Sequence, residues 1–246
     1  ERVVGRPESE GVTLALLVLQ RGETIVEWYG HQPDTAFGPG GPVTADTTLI
    51  SWSTAKSMTH AAVGIMVRDG RLDPTAPAAV PEWAGTEKAA ITLLDLLEMR
   101  PGLRFVEDYV DGGVSDVIAM LFGDGAVDHA AFAAAKPLDH PPGTVWNYSS
   151  GTTNIVSRII GDIVAVDAGA TTPAERQAAM TTWLDARLFG PTGMTSAIPK
   201  FDGAGNWVGS SYVYATAADF ARFGELYRHD GVTATGERIL PEGWAE

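Results

Sequence analysis

Apolar positions change their spacing along the chain, and the changes predict its elements. Residues 12–19, VTLALLVL, are apolar on both faces; RGE follows, then TIVEWYG. Two such runs around a Gly-containing turn predict a β-hairpin, and the two-faced first run predicts a buried, covered strand. Residues 34–46, DTAFGPGGPVTAD, carry the Gly and Pro of a loop. From residue 54 the spacing becomes helical, with Ala55, Met58, Ala62, Ile65 and Met66 on one side and DGRLD as the stop. ITLLDLLE at 91–98 predicts a short helix behind a Thr cap, and MRPGL closes it. SDVIAMLF and DHAAFAAA predict one or two more. The paired prolines of DHPPGTVWNYSSG demand an extended or turn segment. Residues 152–165 form an amphipathic pattern, and AERQAAMTTWLDARLFGPTGM predicts a helix ending at Gly-Pro. YATAADFARFGELYRHDG predicts a last one, capped by Thr216.

This organisation divides into N-terminal strands over 1–50, a mostly helical region over 51–215, and a helix over 216–246 that returns toward the sheet. A two-stranded sheet needs partners, and no further strand pattern is visible, so additional strands are expected outside this chain.

Composition narrows the function. The chain has 246 residues, 45% hydrophobic and 20% charged, enough apolar material for a large core. Its formal net charge of −14 argues against nucleic acid as a partner, because phosphate backbones need a basic footprint. There is no cysteine, which excludes disulfides, thiolate catalysis and zinc–thiolate sites. The apolar run at 12–19 is too short for a membrane span. Location stays open, with the cytoplasm slightly favoured over periplasm or secretion.

The candidate chemistry begins at SWSTAKSMTH, residues 51–60. A serine hydroxyl needs a base within hydrogen-bond reach to act as a nucleophile. Ser53 and Lys56 are three residues apart and share a face of a helix start. The N–H of Ser53 lies where helix-terminal donors can stabilise an oxyanion, and a desolvated lysine can serve as a base. The alternative is a serine cap and a solvated lysine. In VWNYSSG, residues 145–151, Tyr148 and Ser150 share a face if the segment is extended. A lysine ammonium nearby would favour phenolate and make Tyr148 a base; the alternative is a buried tyrosine beside a helix cap.

Taken together, STAK at 53–56 with SMTHAAVGIMVRDGRLDPTAPAAVPEW after it, and PPGTVWNYSSGTTNIVSRII at 141–160, resemble the serine β-lactamase-related hydrolases. The nearest branch is the class C-like group of esterases, D-amino-acid peptidases and 6-aminohexanoate-dimer hydrolases. The resemblance implies an α+β, β-lactamase/transpeptidase-like fold, with an antiparallel sheet flanked by helices plus a mostly helical domain. It implies that Ser53 is acylated by a small ester or amide, that Lys56 and Tyr148 handle its protons, and that no cofactor or metal takes part. Ser150 stands at the third position of the tyrosine motif, where a serine resembles the 6-aminohexanoate-dimer hydrolases and some esterases. EDYVD at 107–111 is similar to a loop of the nylon-oligomer hydrolases and makes Tyr109 a candidate substrate contact. The alternative functions are a β-lactamase, a D-aminopeptidase, or a penicillin-binding module with slow or no turnover.

The family's third motif, Lys-Thr-Gly or His-x-Gly on a strand beside the nucleophile, has no counterpart. HDG at 229–231 ends a helix, where His229 reads as a C-terminal cation, and KFDG at 200–203 has the wrong spacing. His31, His60, His129 and His140 form no metal-binding pair, and His60 reads as structural. The missing strands, and with them the second oxyanion donor, are therefore expected from a further segment or a second chain.

Overall fold

In a computed structural model, the structure describes residues 11–35, 38–109 and 114–245. The chain opens with strands β1 (Ala15–Gln20) and β2 (Glu23–Tyr29), an antiparallel pair with a register shift at Val18/Leu19. Arg21 and Gly22 make the turn, both at positive φ (55° and 83°). A two-residue turn of that hand matches the twist of the strands it joins. The hairpin is as predicted, but its first strand is not covered on both faces. Val18, Ile25 and Val26 remain exposed, because β1 and β2 hydrogen-bond only to each other and no second layer lies over both faces.

Two short strands, β3 (His31–Gln32) and β4 (Gly41–Pro42), pair antiparallel. Strand β5 (Leu49–Ile50) then leads into α1 (Ala55–Arg68). Helices α2 (Leu93–Leu97), α3 (Asp116–Phe122) and α4 (His129–Ala134) follow. Thr92, Ser115 and Asp128 cap them through their side chains, which satisfies N–H groups that the helix itself cannot.

Helix α5 (Ser150–Ala168) is the centre of the molecule. Its residues 150–161 are all buried, so it is enclosed rather than amphipathic as its sequence suggests. It touches α1, α2, α4 and the following helix, α6 (Pro173–Leu184). Met58 and Ile65 of α1 meet Ile155, Ile159 and Ile160 of α5 in one core with Met120, Leu184 and Trp207. Helix α6 does not stop at Gly-Pro. It runs into a π-helical turn over Asp185–Phe189 and a last turn over Gly190–Thr192. Pro191 has no N–H and its ring crowds the carbonyl four residues back; the wider turn before it relieves that conflict.

Strands β6 (Ile198–Pro199) and β7 (Val213–Ala215) were not anticipated. With two and three residues, neither is long enough to show an alternating pattern. β7 pairs antiparallel with both β5 and β6, giving a three-stranded sheet in the order β5-β7-β6. Helix α7 (Ala217–Arg228), capped by Thr216 as expected, lies against β1. No described helix is long and apolar enough to cross a membrane.

Candidate active site

The β5-β7 pair delivers Ser53. The Ser51 N–H donates to the Val213 carbonyl at 2.8 Å, and the Val213 N–H donates to Ser51 Oγ at 3.0 Å. Ser51 Oγ also lies 3.0 Å from the Ser211 carbonyl, to which it donates. From this anchor the chain turns sharply. Trp52 has φ of 42°, a left-handed conformation that costs a bulky residue energy. The ring of Trp52 lies over the exposed side, 5.9 Å from that of Tyr212. Ser53 follows in a 3-10 turn over Trp52–Thr54, exposed, at the mouth of α1.

One turn later Lys56 is half-buried, and its ammonium has three acceptors for its three donors. Nζ donates to Ser53 Oγ at 3.1 Å, to Ser150 Oγ at 3.0 Å and to the Ser210 carbonyl at 3.0 Å. The same Nζ lies 4.8 Å from the centre of the Tyr148 ring. Four of the five predicted residues therefore meet at Lys56 or adjoin it. The segment expected to be extended at 148–150 is so at Ser149, with φ of −152° and ψ of 117°, and becomes helical at Ser150. Ser149 caps α5 by accepting from the Thr152 N–H at 2.9 Å, and Ser150 is the first helical residue. Asn147 fixes the approach: its N–H donates to the Met99 carbonyl at 2.8 Å and its Nδ2 to the Phe105 carbonyl at 3.0 Å.

The fifth residue, Tyr109, is 65% exposed, and its hydroxyl donates to Glu107 Oε1 at 3.0 Å. Partial burial and the neighbouring Glu107 carboxylate raise its phenol well above the ordinary range. Glu107 itself was not singled out from the sequence. Its Oε2 accepts from the Ser150 N–H at 2.5 Å and its Oε1 from Ser150 Oγ at 2.7 Å.

A second missed element is the segment 207–211, WVGSS, which crosses α1 and α5. Ser157 Oγ donates to the Trp207 carbonyl at 2.7 Å and Thr59 Oγ1 to the Gly209 carbonyl at 2.9 Å. The Ser210 N–H donates to Asn154 Oδ1 at 3.2 Å. A Cβ at Gly209 would fall 2.4 Å from Thr59 Oγ1, so glycine permits the approach that brings the Ser210 carbonyl to Lys56. No local pattern marks such a segment, because its partners lie about fifty and a hundred and fifty residues away.

His60, one turn after Lys56 on α1, lines a small cavity with it. His60 sits between Tyr227, whose hydroxyl is 2.8 Å from Nδ1, and the stacked ring of Trp244, 4.9 Å away. Burial lowers its pKa. His229 caps the end of α7, 3.6 Å from Glu225. Among the described residues no three His, Cys, Asp or Glu side chains are grouped to hold a metal. Two roomy cavities, about 640 and 660 Å³, lie beside α7 and α6 and do not include Ser53.

A strained turn presenting a serine, with a lysine one helical turn on and a tyrosine across the gap, is the arrangement of a serine acyl-transfer fold. The profile of the Beta-lactamase family matches residues 6–245, and the chain belongs to that family. It is 29% identical over 250 residues to the 6-aminohexanoate-dimer hydrolase of Paenarthrobacter ureafaciens, covering 96% of this chain and 57% of that protein. A Bacillus anthracis structure, provisionally assigned as a 6-aminohexanoate-dimer hydrolase, superposes with a TM-score of 0.71 at 22% identity, over 93% of this chain and 57% of that one. The D-amino acid amidase of Ochrobactrum anthropi SV3 superposes with a TM-score of 0.57 at 19% identity, over 94% and 66% of the two chains. The α+β, β-lactamase/transpeptidase-like fold is thus shown. The chain spans just over half the length of the first two relatives.

Proposed function

We propose that the protein is a serine hydrolase that cleaves ester or amide bonds through an acyl-enzyme on Ser53. The observation that carries the reading is the Lys56 ammonium, held at once against Ser53 Oγ, Ser150 Oγ and the Ser210 carbonyl, with the Tyr148 ring beside it. Ser53 Oγ adds to the carbonyl carbon, and its proton passes to the Lys56–Tyr148 pair. The carbonyl oxygen gains the charge, facing the Ser53 N–H at the start of the helix. The pair returns the proton to the leaving alcohol or amine as the C–O or C–N bond breaks. Water then adds to the acyl carbon, and Ser53 recovers its proton as the acid departs. Lys56 donates to Ser53 in the resting site, and the Tyr148 ring lies beside the same ammonium.

The named relatives favour a small amide of the 6-aminohexanoate type as substrate, with Tyr109 and Ser150 contacting it. The reading includes a further segment, continuous with this chain or separate, that completes the sheet and supplies a second oxyanion donor. The test is a panel of p-nitrophenyl esters, nitrocefin and aminohexanoate dimer, run on the full-length protein and on Ser53→Ala. Turnover in the first and none in the second is expected. Wild-type turnover by Ser53→Ala would remove Ser53 from the chemistry, and a stable mass adduct without turnover would point to a penicillin-binding module.

A further inference from the structure

We infer that Glu107 is a positioning residue that orients the Ser150 hydroxyl toward Lys56 and so sets the geometry of the nucleophile's proton relay. The inference rests on the serine-hydrolase reading above. A serine hydroxyl has one proton and two lone pairs. That of Ser150 sends its proton to Glu107 Oε1 at 2.7 Å, which leaves only lone pairs for Lys56 Nζ, 3.0 Å away. Glu107 Oε2 also holds the backbone N–H of Ser150 at 2.5 Å, so the carboxylate grips the residue at two points. The hydrogen bonds then run in one sense, from Lys56 to Ser150 to the carboxylate, while another Lys56 donor meets Ser53 Oγ. With Glu107 gone, the hydroxyl is free to rotate and turn its proton toward the ammonium, and Lys56 loses one of its three fixed acceptors. Tyr109 donates to the same carboxylate. It ties this support to the loop proposed to meet substrate.

Glu107 also satisfies an N–H at the start of α5, and capping alone would make it merely structural. The Ser150→Ala background separates the roles, because it keeps the N–H and removes the hydroxyl. The measurement is fluorophosphonate labelling of Ser53 in the full-length protein, resolved into kinact and KI, with the adduct located by mass spectrometry. Glu107→Gln is expected to lower kinact on the order of tenfold with KI unchanged, and to change kinact less than about twofold when Ser150 is already alanine. An unchanged kinact, or the same loss in both backgrounds, overturns the inference. If Glu107→Gln does not fold, the cycle is run with Glu107→Asp, which keeps the charge and draws the carboxylate back by one methylene; the same results decide. No labelling of wild-type Ser53 overturns the hydrolase reading itself, a result distinct from labelling indifferent to Glu107.

Discussion

Replacing Ser51 by alanine tests whether the approach to the nucleophile is held by one hydroxyl. Ser51 is 8% exposed, and its Oγ accepts from the Val213 N–H at 3.0 Å while donating to the Ser211 carbonyl at 3.0 Å. Alanine fits without a clash but leaves a buried donor and a buried acceptor without their partner. An unsatisfied buried group costs about 1–3 kcal/mol, with the donor toward the upper end. The two together predict about 3 kcal/mol. For a chain of this size each kcal/mol moves Tm by about 2–4 °C, so Tm is expected to fall by roughly 6–12 °C. The backbone bond from the Ser51 N–H to the Val213 carbonyl survives, so the β5-β7 register should persist. What loosens is the turn at Trp52, whose positive φ is held by its surroundings. Ser53 labelling should slow as well, on the order of 10- to 100-fold, the scale of an ångström-sized misplacement. Calorimetry measures the first effect, and hydrogen exchange at the Val213 amide reports the lost bond directly. A Tm shift under about 2 °C with Val213 exchange unchanged would refute the reasoning.

Tyr148→Phe removes a hydroxyl while keeping the ring beside Lys56. Acylation is expected to slow by about 10²–10⁴-fold, the range for a positioned acid–base group, with Tm unchanged; an acylation rate equal to wild type would take Tyr148 out of the mechanism. The pH response of stability has a definite sign. Burial lowers the pKa of both His60 and His129, so below the ordinary value of 6.5 the unfolded chain binds protons that the folded chain does not. Stability is therefore full above about pH 6.5 and falls as pH drops toward the folded values. His60→Gln should flatten the decline in Tm between about pH 6.5 and 5; an unaltered slope would show that His60 is not one of its sources.

The site was legible where its residues are neighbours in sequence. Ser53 and Lys56 are one helical turn apart, and that spacing is enough to bring Lys56 Nζ to 3.1 Å from Ser53 Oγ. Tyr148 and Ser150 share a face of a short segment and match a family motif, but nothing local says that Ser150 lies 3.0 Å from a lysine 94 residues earlier. Nothing in the sequence marks Glu107, because a glutamate in a polar loop looks like any solvated charge until Ser150 is placed against it.

The hairpin turn, the caps of α2 and α7, and the helical span of α1 can be read from local sequence. All of these depend on interactions within a few residues, through φ preference, capping groups and apolar spacing. The enclosure of α5, the two- and three-residue strands that join β5, and the turn of WVGSS that aims a carbonyl at Lys56 are not visible in local sequence. Each of those is set by contacts between segments far apart in the chain, where burial and the need to satisfy buried polar groups outweigh local preference.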